Sequence, residues 1–241
     1  MRRTRLLFLG VAAGLNALAQ GLANSQFTIN HLPCGSQHDA SVESVLKTVG
    51  VTKTGSVATL ELRNDSGKTI TAYAVDYTLT RGGRTDHYGT VGEEFLYQMA
   101  LARHAFAPGA VHKLEIAGGK VPGRYDVYPC LAAFDDGTFV GLALAARGLE
   151  NMRSSSADQF GALIRDLQSA LDSTDPKAVL ASRIRAGKKT RAWTSGYLDT
   201  VAADLSGAPA LDKKVLTDHI SALRAQQQML MDQSHLVPAS R

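Results

Sequence analysis

The chain has 241 residues, of which 44% are hydrophobic and 20% are charged, with 26 lysines and arginines against 22 aspartates and glutamates. This length gives one large domain or two small ones, with enough apolar side chains for a core. The composition excludes a collagen, a disulfide-dense miniprotein, a wholly disordered chain and a polytopic membrane protein.

The N-terminus has the three parts of a secretory signal peptide. Arg2, Arg3 and Arg5 form a positive region, residues 6–15 form an apolar run, and Ala17-Leu18-Ala19 provides small residues for a peptidase. The apolar run is shorter than the about 20 residues that span a bilayer. We therefore predict cleavage after Ala19 and an extracytoplasmic protein, periplasmic or secreted.

Cleavage changes the charge of the protein. The whole chain has a formal charge of +4, and residues 1–19 contain three arginines and no acid, so the mature chain carries +1. A chain so nearly neutral does not have the basic surface of a nucleic-acid-binding protein. We expect no nucleic-acid partner.

The sequence contains two cysteines, Cys34 and Cys130. An even number in an exported chain permits a disulfide, which here would close a long loop. Two buried free thiols are the alternative, and the sequence leaves the choice open because a bridge depends on the separation of the two Cα atoms.

Strands are predicted from about Gln26 to Arg147. The segment Ser56–Arg63 places Ala58, Leu60 and Leu62 on one face and polar residues on the other, which is typical of a half-buried strand. A turn of small and polar residues follows it.

The segment Thr69–Thr80 is apolar on both faces. Tyr73, Val75, Tyr77 and Leu79 alternate with Ile70, Ala72 and Ala74. This pattern predicts a central strand with Ile70 on the same side as the two alanines.

Further short strands follow. A strand is expected from Thr85 towards Leu101, another after Pro108-Gly109, and a hairpin joins Tyr125–Phe134 to Phe139–Leu142 through Asp-Asp-Gly-Thr. About seven short strands at this spacing indicate an antiparallel two-sheet sandwich.

Three stretches carry a resemblance to a known family. They are the run Thr-Leu-Glu-Leu-Arg-Asn-Asp-Ser-Gly-Lys-Thr-Ile at 59–70, Val75–Leu79, and Phe106-Ala107-Pro108-Gly109. Over residues 50–142 this layout resembles bacterial extracytoplasmic immunoglobulin-like domains of the FxLYD kind, although Leu79-Thr80-Arg81 stands where that family has Leu-Tyr-Asp. The resemblance implies an immunoglobulin-like sandwich that serves as a binding or spacer module without catalytic residues.

After Arg147 the apolar period changes from 2 to 3.6. Ser156 and Gln159 have capping-box spacing, which predicts that a helix begins there. The chain is thus expected to be an α+β protein with a signal peptide at 1–19, a β-sandwich domain at 20–147 and a helical C-terminal region at 148–241.

Three more helices are predicted in that region. Asp175-Pro176 is a favoured helix start and Gly187 a plausible stop. A shorter helix is expected over Thr194–Leu205 and a last one over Ala210–Asp232, with the apolar stripe Leu216, Ile220, Leu223 and Leu230. The tail from Ser234 is expected to fray.

The segment 176–198 is basic and contains no acid, with Trp193 and Tyr197 near its end. Such a segment could contact an anionic surface, either lipid headgroups or an acidic polymer. The alternative is a solvated helix end whose cations complement the helix dipole. The candidate contact residues are Arg183, Arg185, Lys188, Lys189, Arg191 and Trp193.

The common catalytic and metal motifs are absent from the sequence, among them Gly-x-Ser-x-Gly, His-Glu-x-x-His and Cys-x-x-Cys. The nearest approach to a site is a group of acids and histidines that neighbouring strands could bring together, although exposed sheet positions explain it equally well. Its members are Asp86, His87, Glu93, Glu94, His104 and His112. No catalytic residue, metal ligand or cofactor is assigned.

These observations favour an exported, non-catalytic binding or structural module of the bacterial cell envelope, acting on a protein or polymer partner. Two alternatives stay open. One is an envelope metal-assisted hydrolase using His87, Glu94 and His104, and the other is a peripheral membrane-surface protein bound through residues 176–198. The sequence does not set the partner or the oligomeric state.

Overall fold

A computed structural model describes most of the chain: residues 32–34, 39–55, 57–96, 106–117, 123–187, 192–205 and 207–240. The predicted signal peptide at 1–19 lies outside the described residues. So do His104 of the acid and histidine group and Lys188, Lys189 and Arg191 of the basic segment.

Strands dominate the first part of the described chain and helices the second, as predicted. In chain order the elements are α1 (Ala40–Glu43), β1 (Leu46–Thr54), β2 (Val57–Asn64), β3 (Ile70–Arg81), β4 (Arg84–Glu94), β5 (Val111–Ala117), β6 (Arg124–Phe134), β7 (Thr138–Gly141), α2 (Ala143–Leu171), α3 (Pro176–Gly187), α4 (Ala192–Asp204), α5 (Pro209–Asp232) and β8 (Val237–Pro238).

The strands form two sheets. One has the order β1-β2-β5 and the other has the order β4-β3-β6-β7-β8. Neighbouring strands are antiparallel except β7 and β8, which are parallel. The mixed fold with antiparallel sheets and C-terminal helices is therefore confirmed.

The chain divides into two compact units. The helical unit contains Ser155–Leu230. The β-rich unit contains the described residues of 26–154 together with those of 231–241.

The β-rich unit has one core to which both sheets contribute. Leu60, Leu62 and Leu114 come from the three-stranded sheet, and Tyr73 and Val75 come from the five-stranded sheet. All five side chains are 0–3% exposed. Removing this apolar surface from water is the main favourable term in folding the unit.

The central position of β3 is confirmed, because it pairs with β4 on one side and β6 on the other. The predicted face of Ile70 is wrong. The pairing with β6 shifts register between Ile70 and Ala72, and Ile70 joins Tyr73 in the core between the sheets. An irregularity of one residue moves the side chains beyond it to the opposite face of the sheet.

The outward face of the five-stranded sheet has a second apolar cluster. Ala74 and Leu131 of the sheet pack there with Ala145 and Leu149 of α2. The predicted helix start at Ser156 is therefore wrong: α2 begins at Ala143, because burial on the sheet stabilises its first turns where a capping box alone would not.

The helical unit follows its predicted pattern closely. Helix α3 runs from Pro176 to Gly187, and Asp175 Oδ1 accepts a hydrogen bond from the backbone N–H of Ala178 at 3.1 Å. Helices α4 and α5 lie within two residues of the predicted ranges. The predicted stripe of α5 is buried, and it consists of Leu216, Ile220, Leu223 and Leu230.

We expect Asp175→Ala to lower the free energy of unfolding by about 1 kcal/mol, because the substitution removes the side-chain acceptor at the N-terminus of α3. Asp175→Asn is the matched control: it keeps the acceptor and should stay within a few tenths of a kcal/mol of the wild type. Urea denaturation followed by circular dichroism measures both. Equal losses in the two variants would contradict the capping role.

The predicted fraying from Ser234 is wrong for the described tail. Strand β8 extends the five-stranded sheet, where Val237 N–H donates to Gly137 O at 3.0 Å and Ala239 N–H donates to Phe139 O at 2.8 Å. The backbone groups of β7 bind this segment, although its own side chains are largely exposed.

Candidate functional site

The acids and histidines singled out in the sequence do not form one site among the described residues. Asp86 lies on the β3–β4 hairpin, where Oδ2 is 3.2 Å from Arg81 Nη2 and Oδ1 is 2.8 Å from Arg84 Nε. Both arginines belong to the same exposed hairpin, so Asp86 has a local structural role.

Glu93 and His112 form a pair between the two sheets. His112 Nε2 of β5 lies 2.8 Å from Glu93 Oε2 of β4, within ion-pair distance, although Nε2 makes no hydrogen bond to any described residue. The His112 ring also contacts the rings of Phe95 and Phe106. This pair therefore lies at the boundary of the apolar core, where Glu93 is buried and His112 is partly exposed.

Tyr73 is buried beside this pair. Its hydroxyl has no hydrogen-bond partner among the described residues, and burial together with the nearby charge of Glu93 raises the pKa of the phenol well above its ordinary value. Tyr73 therefore stays neutral and contributes its ring to the core.

Glu94 is held by a fully buried arginine. Arg153 Nε donates to Glu94 Oε2 at 2.8 Å and Nη2 donates to Oε1 at 3.3 Å, and both side chains are 0% exposed. Arg153 also donates from Nη2 to Thr71 Oγ1 at 3.1 Å and from Nη1 to Gln233 O at 2.9 Å. A metal at Glu94 would have to displace Arg153 from the core.

His87 belongs to a different group, built around a buried acid. Its Nε2 lies 3.3 Å from Asp76 Oδ2, and Thr90 Oγ1 lies 2.5 Å from Asp76 Oδ1. Thr90 Oγ1 is also 2.8 Å from the backbone oxygen of Leu32. The side chain of Asp76 is 1% exposed, whereas that of His87 is 43% exposed, so this group extends from the interior to solvent.

The two cysteines lie next to the same acid. Cys34 and Cys130 form a disulfide with their Cα atoms 5.9 Å apart. A carboxylate oxygen of Asp76 and the two sulfur atoms lie within 4.8 Å of one another, and all three residues are buried. Among the described residues, this group could offer two thiolates and a carboxylate to a metal ion, but only after the disulfide is reduced.

Asp76 and Arg153 were not identified from the sequence. A signal for Asp76 exists, because it is the one acid in the twelve residues of the doubly buried strand β3. Arg153 carries no such signal, because arginine is common on helix surfaces and its partner Glu94 is 59 residues away.

The basic segment is only partly described. Arg183 and Arg185 lie on α3 and are exposed, and Arg183 Nε is 3.4 Å from Asp166 Oδ1 of α2. Trp193 belongs to α4. Contact with an anionic surface stays a prediction for these residues.

The helical unit has a buried polar group of its own. Tyr197 Oη lies 2.9 Å from His219 Nδ1, and His219 Nε2 lies 3.3 Å from Asp204 Oδ2. Burial lowers the pKa of His219, whereas the charge of Asp204 opposes that shift. Burial and Asp204 raise the pKa of Tyr197. A neutral imidazole between a donor and an acceptor links α4 to α5.

The outer strand of the three-stranded sheet exposes apolar side chains. Val49 and Val51 of β1 are 41% and 39% exposed. Val49 lies at a bulge between Thr48 and Gly50, so it has no partner residue on β2. Among the described strands, none pairs with β1 on the side away from β2.

None of the described helices is both long enough and apolar enough to cross a membrane. Comparison with models of known protein families, with curated proteins and with solved structures finds no match.

Proposed function

We propose that this protein is an exported binding or structural module of the bacterial cell envelope, with an immunoglobulin-like sandwich that contacts a protein partner through β1. The outer strand β1 carries the proposal, because it presents Val49 and Val51 to solvent beside an edge that no described strand covers. Exposed apolar residues on an outer strand are typical of surfaces that receive another chain.

The mode of contact follows from the geometry of a strand edge. An extended segment can add to such an edge through backbone hydrogen bonds, while alternate side chains select the partner. Val49 and Val51 offer apolar side chains at alternate positions of β1. The matching partner is thus an extended protein segment with apolar residues at alternate positions.

The positions of the titratable groups favour binding over hydrolysis. In the hydrolase alternative, Glu94 would need a free carboxylate, but both of its oxygens accept hydrogen bonds from Arg153. His87 lies instead beside Asp76. Export is supported by the signal-peptide pattern and by the disulfide, because disulfides persist mainly in oxidising compartments.

A crosslinking experiment tests the proposal in the producing cell. The full chain is expressed with a photo-reactive amino acid in place of Val51, and in a second version in place of Leu144 on α2, which is 59% exposed. We expect the mature chain in the envelope fraction to begin at Gln20 and to give a discrete protein adduct from position 51 but not from position 144.

Val49→Lys serves as the matched variant, because it places a further charge on the apolar surface of β1 without changing the core. It should weaken the adduct formed from position 51. A chain that stays in the cytoplasm, identical adducts from both positions, or an adduct with a polymer rather than with protein would each overturn the proposal.

A further inference from the structure

The disulfide and its neighbouring acid lie on the outward face of the five-stranded sheet. Cys130 is on β6 at an irregularity of the pairing with β3, between the partners of Ala74 and Val75. Asp76 follows on β3, and Cys34 comes from the described N-terminal segment 32–34. Bulges often redirect a side chain towards a functional group, and here the bulge accompanies two sulfurs and a carboxylate within 4.8 Å of one another.

The buried position of Asp76 is not explained by the disulfide alone. A structural disulfide needs no carboxylate, and removing a carboxylate from water is costly unless it is paired. Asp76 is 0% exposed, and its two oxygens contact Thr90 Oγ1 and His87 Nε2. This arrangement holds the carboxylate of Asp76 beside the sulfurs, and His87 Nε2 lies 3.3 Å from Oδ2 of the same carboxylate.

We propose that the reduced protein binds Zn²⁺ through Cys34, Cys130 and Asp76, with His87 supporting the carboxylate of Asp76. Two thiolates and a carboxylate are ligand types that zinc takes, and a water molecule can fill the fourth position of the tetrahedron. Thr90, which contacts both Asp76 and the Leu32 backbone, orients the carboxylate as an outer-shell partner.

Reduction must precede binding, and the reaction balances with a dithiol as reductant. The dithiol passes two electrons and two protons to the disulfide, which becomes two thiols while the dithiol becomes a disulfide. Zn²⁺ then replaces the two thiol protons and forms two zinc–sulfur bonds. The same two cysteines therefore serve either as a covalent bridge or as a metal site.

The experiment uses the purified mature chain under anaerobic conditions, reduced with a phosphine and titrated with Co²⁺ as a spectroscopic substitute for Zn²⁺. We expect one Co²⁺ per chain, a thiolate-to-cobalt charge-transfer band and the visible bands of a tetrahedral site, all abolished by Zn²⁺. The oxidised protein should give none of these signals. Equal signals from oxidised protein, or no charge-transfer band from reduced protein, would overturn the proposal.

Two variants test the carboxylate ligand and the imidazole that supports it. We expect Asp76→Asn and His87→Ala each to weaken binding by about 10- to 100-fold or more. His235→Ala, on an exposed histidine outside the site, is the control and should leave the affinity unchanged. Since His87 is half-exposed, its variant keeps the test valid even if Asp76→Asn fails to fold. Unchanged affinity in His87→Ala would show that the imidazole does not support the carboxylate, and it would contradict the site as proposed.

Folding is followed in the same samples by circular dichroism. If reduction partly unfolds the protein, Zn²⁺ should restore the native spectrum, because an ion that binds only the folded state stabilises that state. A reduced protein that Zn²⁺ neither stabilises nor refolds would also overturn the proposal.

Discussion

Arg153→Met is expected to lower the free energy of unfolding of the β-rich unit by about 3–5 kcal/mol. The guanidinium is fully buried and donates to Glu94, to Thr71 Oγ1 and to the backbone oxygen of Gln233. Without it, a carboxylate remains in the interior with no compensating charge. Methionine fills much of the same volume, so the loss reports the missing donors rather than a cavity.

A double-mutant cycle separates the pair from its surroundings. The double variant Glu94→Leu with Arg153→Met should be more stable than the sum of the two single losses predicts, because no charge is then left buried. It should still lose about 1 kcal/mol, since Glu94 Oε1 accepts a hydrogen bond from Leu96 N–H at 3.1 Å. Urea denaturation gives all four values.

An exposed pair provides the comparison. Lys113 Nζ lies 2.9 Å from Glu61 Oε1, but the lysine side chain is 68% exposed. We expect Lys113→Met to cost less than about 1 kcal/mol, because water already solvates both charges. Additive losses in the cycle, or a loss in Lys113→Met as large as that in Arg153→Met, would contradict the role given to the buried pair.

Replacing both cysteines, as in Cys34→Ala with Cys130→Ala, should lower the free energy of unfolding by about 4–5 kcal/mol. The two residues are 96 positions apart, and a crosslink over so long a loop greatly restricts the unfolded chain. The variant also leaves space where two buried sulfurs packed beside Leu131 and Leu149. Urea denaturation with and without a reductant measures the effect.

The matched control for this prediction is the wild-type protein after reduction of its disulfide. Reduced wild-type protein without metal should lose nearly as much stability as the double variant, and the double variant should not respond to the reductant at all. A loss below about 1 kcal/mol on reduction would show that the unfolded chain gains little freedom when the bridge opens.

The elements that could be predicted are those with a strong local pattern. Strand β2 alternates cleanly, and α3 has an N-cap, a proline and a terminal glycine that agree with one another. Each of these signals lies within a few residues, so the sequence is sufficient to locate them.

The elements that were missed depend on contacts between distant residues. The first turns of α2 are helical because Ala145 and Leu149 are buried on the sheet, and β8 forms because β7 offers backbone partners. The local pattern there favours a loop or a frayed end, and tertiary packing overrides it.

The same reason limits prediction of the candidate sites. Both cysteines could be named, but Asp76 joins them only because β3 pairs with β6. The grouping of His87 with five other acids and histidines rests on the expectation that neighbouring strands bring them together. Strand pairing instead gives the described members of the group separate partners.

The contact between Arg153 and Gln233 has a topological consequence. Arg153 lies just before the chain leaves the β-rich unit, and Gln233 lies just after it returns, with Nη1 and the backbone oxygen 2.9 Å apart. Exit and re-entry are thus neighbours, so residues 155–230 form an insert between two strands of one sheet rather than an appended tail. An insert whose two ends lie close together can change in length without changing the strand order of the sheet that holds it.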